Sequence, residues 1–213
     1  MTSITVCGSA HVAVAPDRAT LSLGLSHVAT TAAAAMNVVA ERTQRLAELL
    51  GELGFSTRDW STQGVAVAEE WEWRQDTNTK VGYRATTGVI VRVVDLDRVA
   101  TLLSRAVDEA AAEIRYVSWS VSENNPARRA LLGAAAVDAT HRADAYAEAL
   151  GLQRGVVEEV SDLPITPRST MQLESDLFGA RAKAADSPIH MNINPGEIDL
   201  QTSVYVRFAT LAR

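Results

Sequence analysis

Seven stretches of this chain alternate apolar and small polar residues, and three longer ones repeat their apolar residues every three or four positions. Period two marks strands with one buried face, and a period near 3.6 marks amphipathic helices. Their order, β-β-α-β-β-α-β-α-β-β, constrains the fold more than any single motif. Ile4 to Val14 and Ala19 to Val28 flank Ala15-Pro16-Asp17-Arg18, which predicts a β-hairpin around a Pro-Asp turn. Thr30 and Thr31 are N-cap candidates for a helix to about Leu53, and Gly54 is its stop. Met36, Val39, Thr43, Leu46, Leu50 and Leu53 form its apolar stripe.

Trp60 to Trp73 and Val81 to Val94 read as strands joined by the polar connection Arg74 to Lys80. Asp95 caps a short helix ending near Glu109. Ile114 to Val121 alternates again, placing Ile114, Tyr116, Ser118 and Ser120 together on one face. Asn125 as N-cap and Pro126 at the first helical position start a helix that runs to Leu150, with Gly151 as the left-handed cap. Leu132, Ala136, Ala139, Ala143, Tyr146 and Leu150 are its expected buried side. Val156 to Val160 and Glu197 to Ala209 are the last strands.

Strands two to five spell β-α-β-β-α-β, the split βαβ arrangement of ferredoxin-like units. The expected class is α+β, a mostly antiparallel sheet with helices packed on one face. Residues 162–188 contain three prolines and no sustained periodicity. Such a length is unusual for a structureless connection and points to an irregular, functional excursion. No linker divides two cores, so residues 1–213 are expected to form a single domain.

The 213 residues are 47% hydrophobic and 22% charged, an ordinary globular composition. A net charge of -6 offers no field that would draw nucleic acid or an anionic membrane. With Cys7 as the single cysteine, an intramolecular disulfide and a cysteine-based zinc site are both excluded. No stretch approaches the roughly 18 apolar residues of a membrane span. Met-Thr-Ser-Ile-Thr-Val at the start lacks a basic and an apolar leader region, which gives a cytoplasmic expectation.

Motifs that carry chemistry are missing. H-E-x-x-H, the P-loop, G-x-G-x-x-G and the G-x-S-x-G elbow do not occur. His141 lies three residues from both Asp138 and Asp144, close enough on a helix for an acid–base or metal cluster, or for a solvated face. His190 sits in a turn-rich stretch, and Cys7 lies in a strand with no neighbouring base to activate it. His11 and His27 belong to no metal-ligand spacing, and Arg128-Arg129 is too small a basic patch for nucleic acid. No catalytic residue, cofactor site or metal site is therefore expected.

Glu69-Glu70-Trp71-Glu72-Trp73-Arg74 stands apart. In a strand Trp71 and Trp73 share a face with Val65 and Val67, while Glu70, Glu72 and Arg74 share the other. Each indole offers on the order of 200 Å² to bury. The pair either caps the chain's own core or anchors another subunit. Trp60 and Trp119 read as core or rim residues.

Ile4-Thr5-Val6-Cys7-Gly8-Ser9-Ala10 followed by Ala15-Pro16-Asp17-Arg18-Ala19 resembles the I-x-V-x-G-x-G … x-P-D-x-A opening of SIMPL-domain proteins. The resemblance continues at Asn125-Pro126, at residues 135–151, at Ser187-Pro188-Ile189 and at Pro195-Gly196-Glu197-Ile198. Ala10 stands where the second glycine is usual. The family is named for a signalling molecule that associates with a pelle-like kinase. The resemblance implies a helix-backed sheet, homo-oligomers or an unidentified protein partner, and no established enzymatic activity. It also implies relatives that are often exported, immunogenic or linked to oxidative stress. The expected function is thus a non-enzymatic assembly or interaction module. A small-molecule or metal carrier, and an enzyme with a site of scattered residues, are the alternatives.

Overall fold

The computed structural model describes residues 2–74, 77–163 and 195–212. Their elements are β1 (Ser3–Val14), β2 (Arg18–Ala29), α1 (Ala32–Glu52), β3 (Trp60–Thr62), β4 (Ala66–Arg74), β5 (Thr77–Val93), α2 (Arg98–Ala110), β6 (Glu113–Ser120), α3 (Pro126–Ala149), β7 (Leu152–Ser161) and β8 (Ile198–Ala212). All strand pairs are antiparallel, so the class is α+β as expected. The described strands divide between two sheets, and the chain sorts into two compact units.

Residues 15–122 build one unit. Its strand order is β3-β5-β2-β6, with β4 also paired to β5. The first and third strands of the β-α-β-β-α-β series are central neighbours, which is the split βαβ topology anticipated from the sequence. Leu21, Leu23 and Leu25 of β2 and Val89, Val91 and Val93 of β5 point to one side. Val39, Leu46, Leu49 and Leu50 of α1 and Val99, Leu102, Leu103 and Ala106 of α2 join them in one cluster, so both helices cover the same face. Thr31 caps α1 by accepting from the Ala34 amide at 3.2 Å, and Gly54 follows with φ of 78°. Met36, expected on the buried stripe, is exposed, and Ala35 is buried instead.

Three local expectations are corrected in this unit. The Pro-Asp turn does not close a hairpin, because β1 pairs with β8 while β2 lies between β5 and β6. Asp17 turns toward the end of β6, accepting from the Ser122 amide at 2.7 Å and its hydroxyl at 2.9 Å. A turn of this kind ends a strand without choosing its partner. Trp60 to Trp73 is two strands, and β4 and β5 run on through the polar residues to the pair Arg74↔Thr77. Backbone ladders tolerate polar side chains where both faces meet water. Asp95 does not cap α2; it pairs with Arg98 at 2.8 Å, and Asp97 holds the cap position.

Across α1 and α2, Arg105 bonds Glu52 at 2.6 Å and Glu109 at 2.5 Å. Arg45 joins the same two carboxylates. Arg105 is the main reason that Glu52 and Glu109 both hold their protons less tightly than an ordinary glutamate.

The other unit comprises residues 2–14, 123–163 and 197–212 among those described. Its sheet has the order β1-β8-β7, and α3 packs on it through Ala135, Ala139, Ala143 and Ala147 against Ile4, Val6, Val204, Val206 and Phe208. Asn125 caps α3 by accepting from the Ala127 amide at 2.9 Å, with Pro126 at its first turn. Of the six residues expected on its buried side only Ala139 and Ala143 are buried; Leu132, Ala136, Tyr146 and Leu150 are exposed, and Leu131, Ala135 and Ala147 are buried in their place. Gly8 shows why: a Cβ there would lie 2.1 Å from the Ala135 carbonyl oxygen and 2.7 Å from the Ala139 Cβ. Helix and strand backbones touch, so only small residues fit between them.

Gly8→Ala is therefore expected to separate α3 from β1 and to destabilise the protein by about 1–3 kcal/mol, read as a lower midpoint in denaturant unfolding. The acidic pair between α1 and α2 gives a second expectation. Carboxylates with folded pKa values below the ordinary 4.5 contribute stability above that pH and lose it as the pH falls through their folded values. Thermal midpoints should drop on acidification below about pH 4.5. Glu52→Gln with Glu109→Gln should flatten that decline; a profile identical to the parent's would refute the role of the pair.

Candidate functional site

Strand β5 is the longest in the sheet, and β2 accompanies it only as far as the pair Ala29↔Tyr83. Residues 77–82 pair with β4 alone, so β4 and the start of β5 form a two-stranded ribbon beyond the sheet. Gly82 makes the departure possible. Its φ is 152°, and a Cβ there would lie 2.4 Å from the Ala29 carbonyl oxygen. The ladder also slips beside it, between Glu70 and Trp71.

The ribbon carries Trp71 and Trp73. They alternate with Glu70 and Glu72 along β4 and are 50% and 69% exposed. Val65 and Val67 extend the same face and are exposed as well. The indoles do not return to the core of residues 15–122. An isolated hairpin is marginal in water, and ion pairs brace this one. Lys80 donates to Glu69 at 2.6 Å and to Tyr83 at 2.9 Å, and its ammonium sits 4.1 Å from the Tyr83 ring centroid. Glu69 is the main cause that raises the Lys80 pKa. On the opposite face Arg84 grips both oxygens of Glu70, at 2.9 and 2.6 Å, and lowers its pKa. Besides β5, β4 pairs with no strand among those described, leaving an edge for another strand to join.

The other residues singled out from the sequence do not converge. His141 is exposed, and its two aspartates are engaged elsewhere. Asp138 accepts from the Ser9 backbone amide at 2.9 Å and from Arg142 at 2.8 Å, and Asp144 accepts from Arg154 at 2.6 Å. The Ser9 amide is the main cause that lowers the Asp138 pKa. Cys7 is half-buried on β1 opposite Tyr205, and His11 and His27 lie on different strands. Arg128 and Arg129 are exposed at the start of α3. Trp60 and Trp119 pack at the rim of the core of residues 15–122. His190 and most of the 162–188 excursion lie outside the described residues. Among the described residues no three His, Cys, Asp or Glu side chains gather as metal ligands, and no helix is long and apolar enough to cross a membrane.

One arrangement escaped the sequence reading. Arg115 is the extra residue where the β2–β6 ladder steps from Ser22↔Tyr116 to Leu23↔Ile114. This bulge breaks the expected alternation, so Ile114 turns inward with Val117 and Trp119 rather than outward with Tyr116. Paired glycines inside strands, Gly24 and Gly88, were the signal available for it.

Residues 4–208 match the SIMPL family, described as "Protein of unknown function (DUF541)". The chain belongs to the SIMPL family. This SIMPL chain is 27% identical over 215 aligned residues to the 26 kDa periplasmic immunogenic protein of Brucella melitensis, covering 96% of the chain and 83% of that relative. It is 29% identical over 158 residues to the uncharacterized protein YggE of Edwardsiella ictaluri, covering 74% of the chain and 66% of the relative. For YggE of Escherichia coli K12 the identity is 28% over 172 residues, covering 79% and 70%. The residues that carry the SIMPL resemblance have structural tasks here: Gly8 admits α3, Asp17 ties the start of β2 to Ser122, two residues after β6, and Asn125-Pro126 starts α3.

Asp138 covers an amide on the edge strand β1 that has no ladder partner there. Asp138→Ala is expected to speed hydrogen exchange at the Ser9 amide; unchanged protection in the variant would show that this bond is not what shields it.

Proposed function

We propose that this SIMPL protein is a non-enzymatic assembly module whose subunits bind one another through the β4–β5 ribbon. The observation that carries the reading is the exposure of Trp71 and Trp73 side by side on a braced hairpin with an open edge. Indoles left in water forfeit a large hydrophobic gain, and Trp is the residue most enriched where interfaces concentrate their energy. A self-complementary patch of this kind closes into a symmetric oligomer. A different protein docking on the same face is the related alternative. Scattered histidines and aspartates committed to structural bonds support assembly over catalysis. Relatives named as periplasmic favour an exported setting over the cytoplasmic one expected from the first residues.

Size-exclusion chromatography with light scattering tests the proposal on the whole chain at micromolar concentration. The parent is expected to elute as an oligomer, and Trp71→Ala with Trp73→Ala as smaller species with an unchanged far-ultraviolet spectrum. A monomeric parent, or a doubly substituted protein of parental mass, would sink it.

A further inference from the structure

Gly24 and Gly88 face each other across the β2–β5 ladder. Both belong to the sheet face opposite the helices, since they alternate with the inward Leu23, Leu25 and Val89. Glycine inside a strand gives up packing, and it often marks where another group comes close to the backbone. Two of them opposite one another make a low floor spanning two strands, and both are buried beneath neighbouring side chains.

Two polar side chains lie on that floor. A Cβ on Gly24 would be 2.6 Å from Nε of Arg115 and 3.2 Å from its Cζ and Nη2. A Cβ on Gly88 would be 2.3 Å from Oε1 of Gln63 and 3.2 Å from Nη1 of Arg115. The guanidinium therefore lies across both glycines, beside the Gln63 amide. The bulge in β6 brings Arg115 there, as bulges beside functional sites re-aim side chains. Gln63 is anchored through its backbone, which donates to the Gly88 carbonyl at 2.7 Å and accepts from the Thr87 hydroxyl at 3.2 Å.

Among the described residues Arg115 has no carboxylate partner, whereas Arg45, Arg84, Arg98 and Arg105 of the same unit each have one; Arg42 and Arg92, also without one, are held by backbone carbonyls instead. The nearest acid along β6, Glu113, is engaged with the Ser26 hydroxyl at 2.8 Å. Arg115 makes no ion pair among the described residues, and both it and Gln63 are exposed. A planar guanidinium presents paired N–H donors that match two oxygens of one carboxylate or phosphate group.

We propose that the exposed side chains of Arg115 and Gln63, on the floor made by Gly24 and Gly88, bind an oxyanion group, a carboxylate or a phosphate, on the face of the residue 15–122 sheet opposite its helices. Arg115 supplies the charge and the paired donors, and the Gln63 amide supplies one more donor. The glycines keep the guanidinium flat and leave its outer edge free. The site is independent of the tryptophan ribbon, and neither proposal needs the other.

The test is nitrogen–proton NMR of the whole chain titrated with sodium phosphate or sodium acetate, against sodium chloride at matched ionic strength. Saturable shifts of the Gly24 and Gly88 amides and of Arg115 Nε–H are expected in the millimolar range. Tighter binding of phosphate identifies a phosphorylated ligand, and tighter binding of acetate a carboxylate. Arg115→Lys keeps the charge without the fork and should weaken binding about tenfold. Arg115→Ala should abolish it, and Gln63→Ala should weaken it with the spectrum otherwise intact. Shifts reproduced by chloride, absent with both oxyanions, or retained in Arg115→Ala would overturn the proposal.

Discussion

Strand β2 organises everything in residues 15–122. Leu21, Leu23 and Leu25 are completely buried, each contributing about 1.5–3 kcal/mol of hydrophobic stabilisation. A strand buried to that degree must satisfy its backbone donors and acceptors on both edges. β5 and β6 meet that demand. The rest of the unit follows from their geometry. β5 is longer than β2, so its surplus length pairs with β4 and leaves the core as a ribbon. β6 carries one residue more than its ladder holds, and the surplus residue is Arg115.

In residues 2–14, 123–163 and 197–212 the organising contact is of the opposite kind. Gly8 and the alanines at 135, 139, 143 and 147 bring a helix and a strand together by the absence of side chains. Close approach strengthens dispersion between backbones and leaves little tolerance for volume. It also brings Asp138 to the Ser9 amide, so that part of the β1 edge is covered by the same helix.

The candidate sites were legible to different degrees. Trp71 and Trp73 on one face follow from alternation alone, since a strand has no other way to place residues two apart. Their exposure does not, because an indole pair over a core and an indole pair beyond it have the same spacing. The His141 cluster was suggested by helical spacing, but Ser9 and Arg154 come from other elements and engage its aspartates. Arg115 was hidden for a sharper reason. A single bulge shifts the parity of a strand, and no local pattern announces it.

Alternation, capping residues and the order of segments were enough to give the antiparallel α+β class, the split βαβ unit and the starts of α1 and α3, since each rests on interactions within a few residues. Partner choice was decided by tertiary structure. β1 joins β8 rather than β2, α3 turns a row of alanines inward rather than Leu132 and Tyr146, and Arg115 reaches a pair of glycines from a neighbouring strand. Each of those outcomes depends on shape and hydrogen-bond demand between segments far apart in the chain, which local periodicity does not encode.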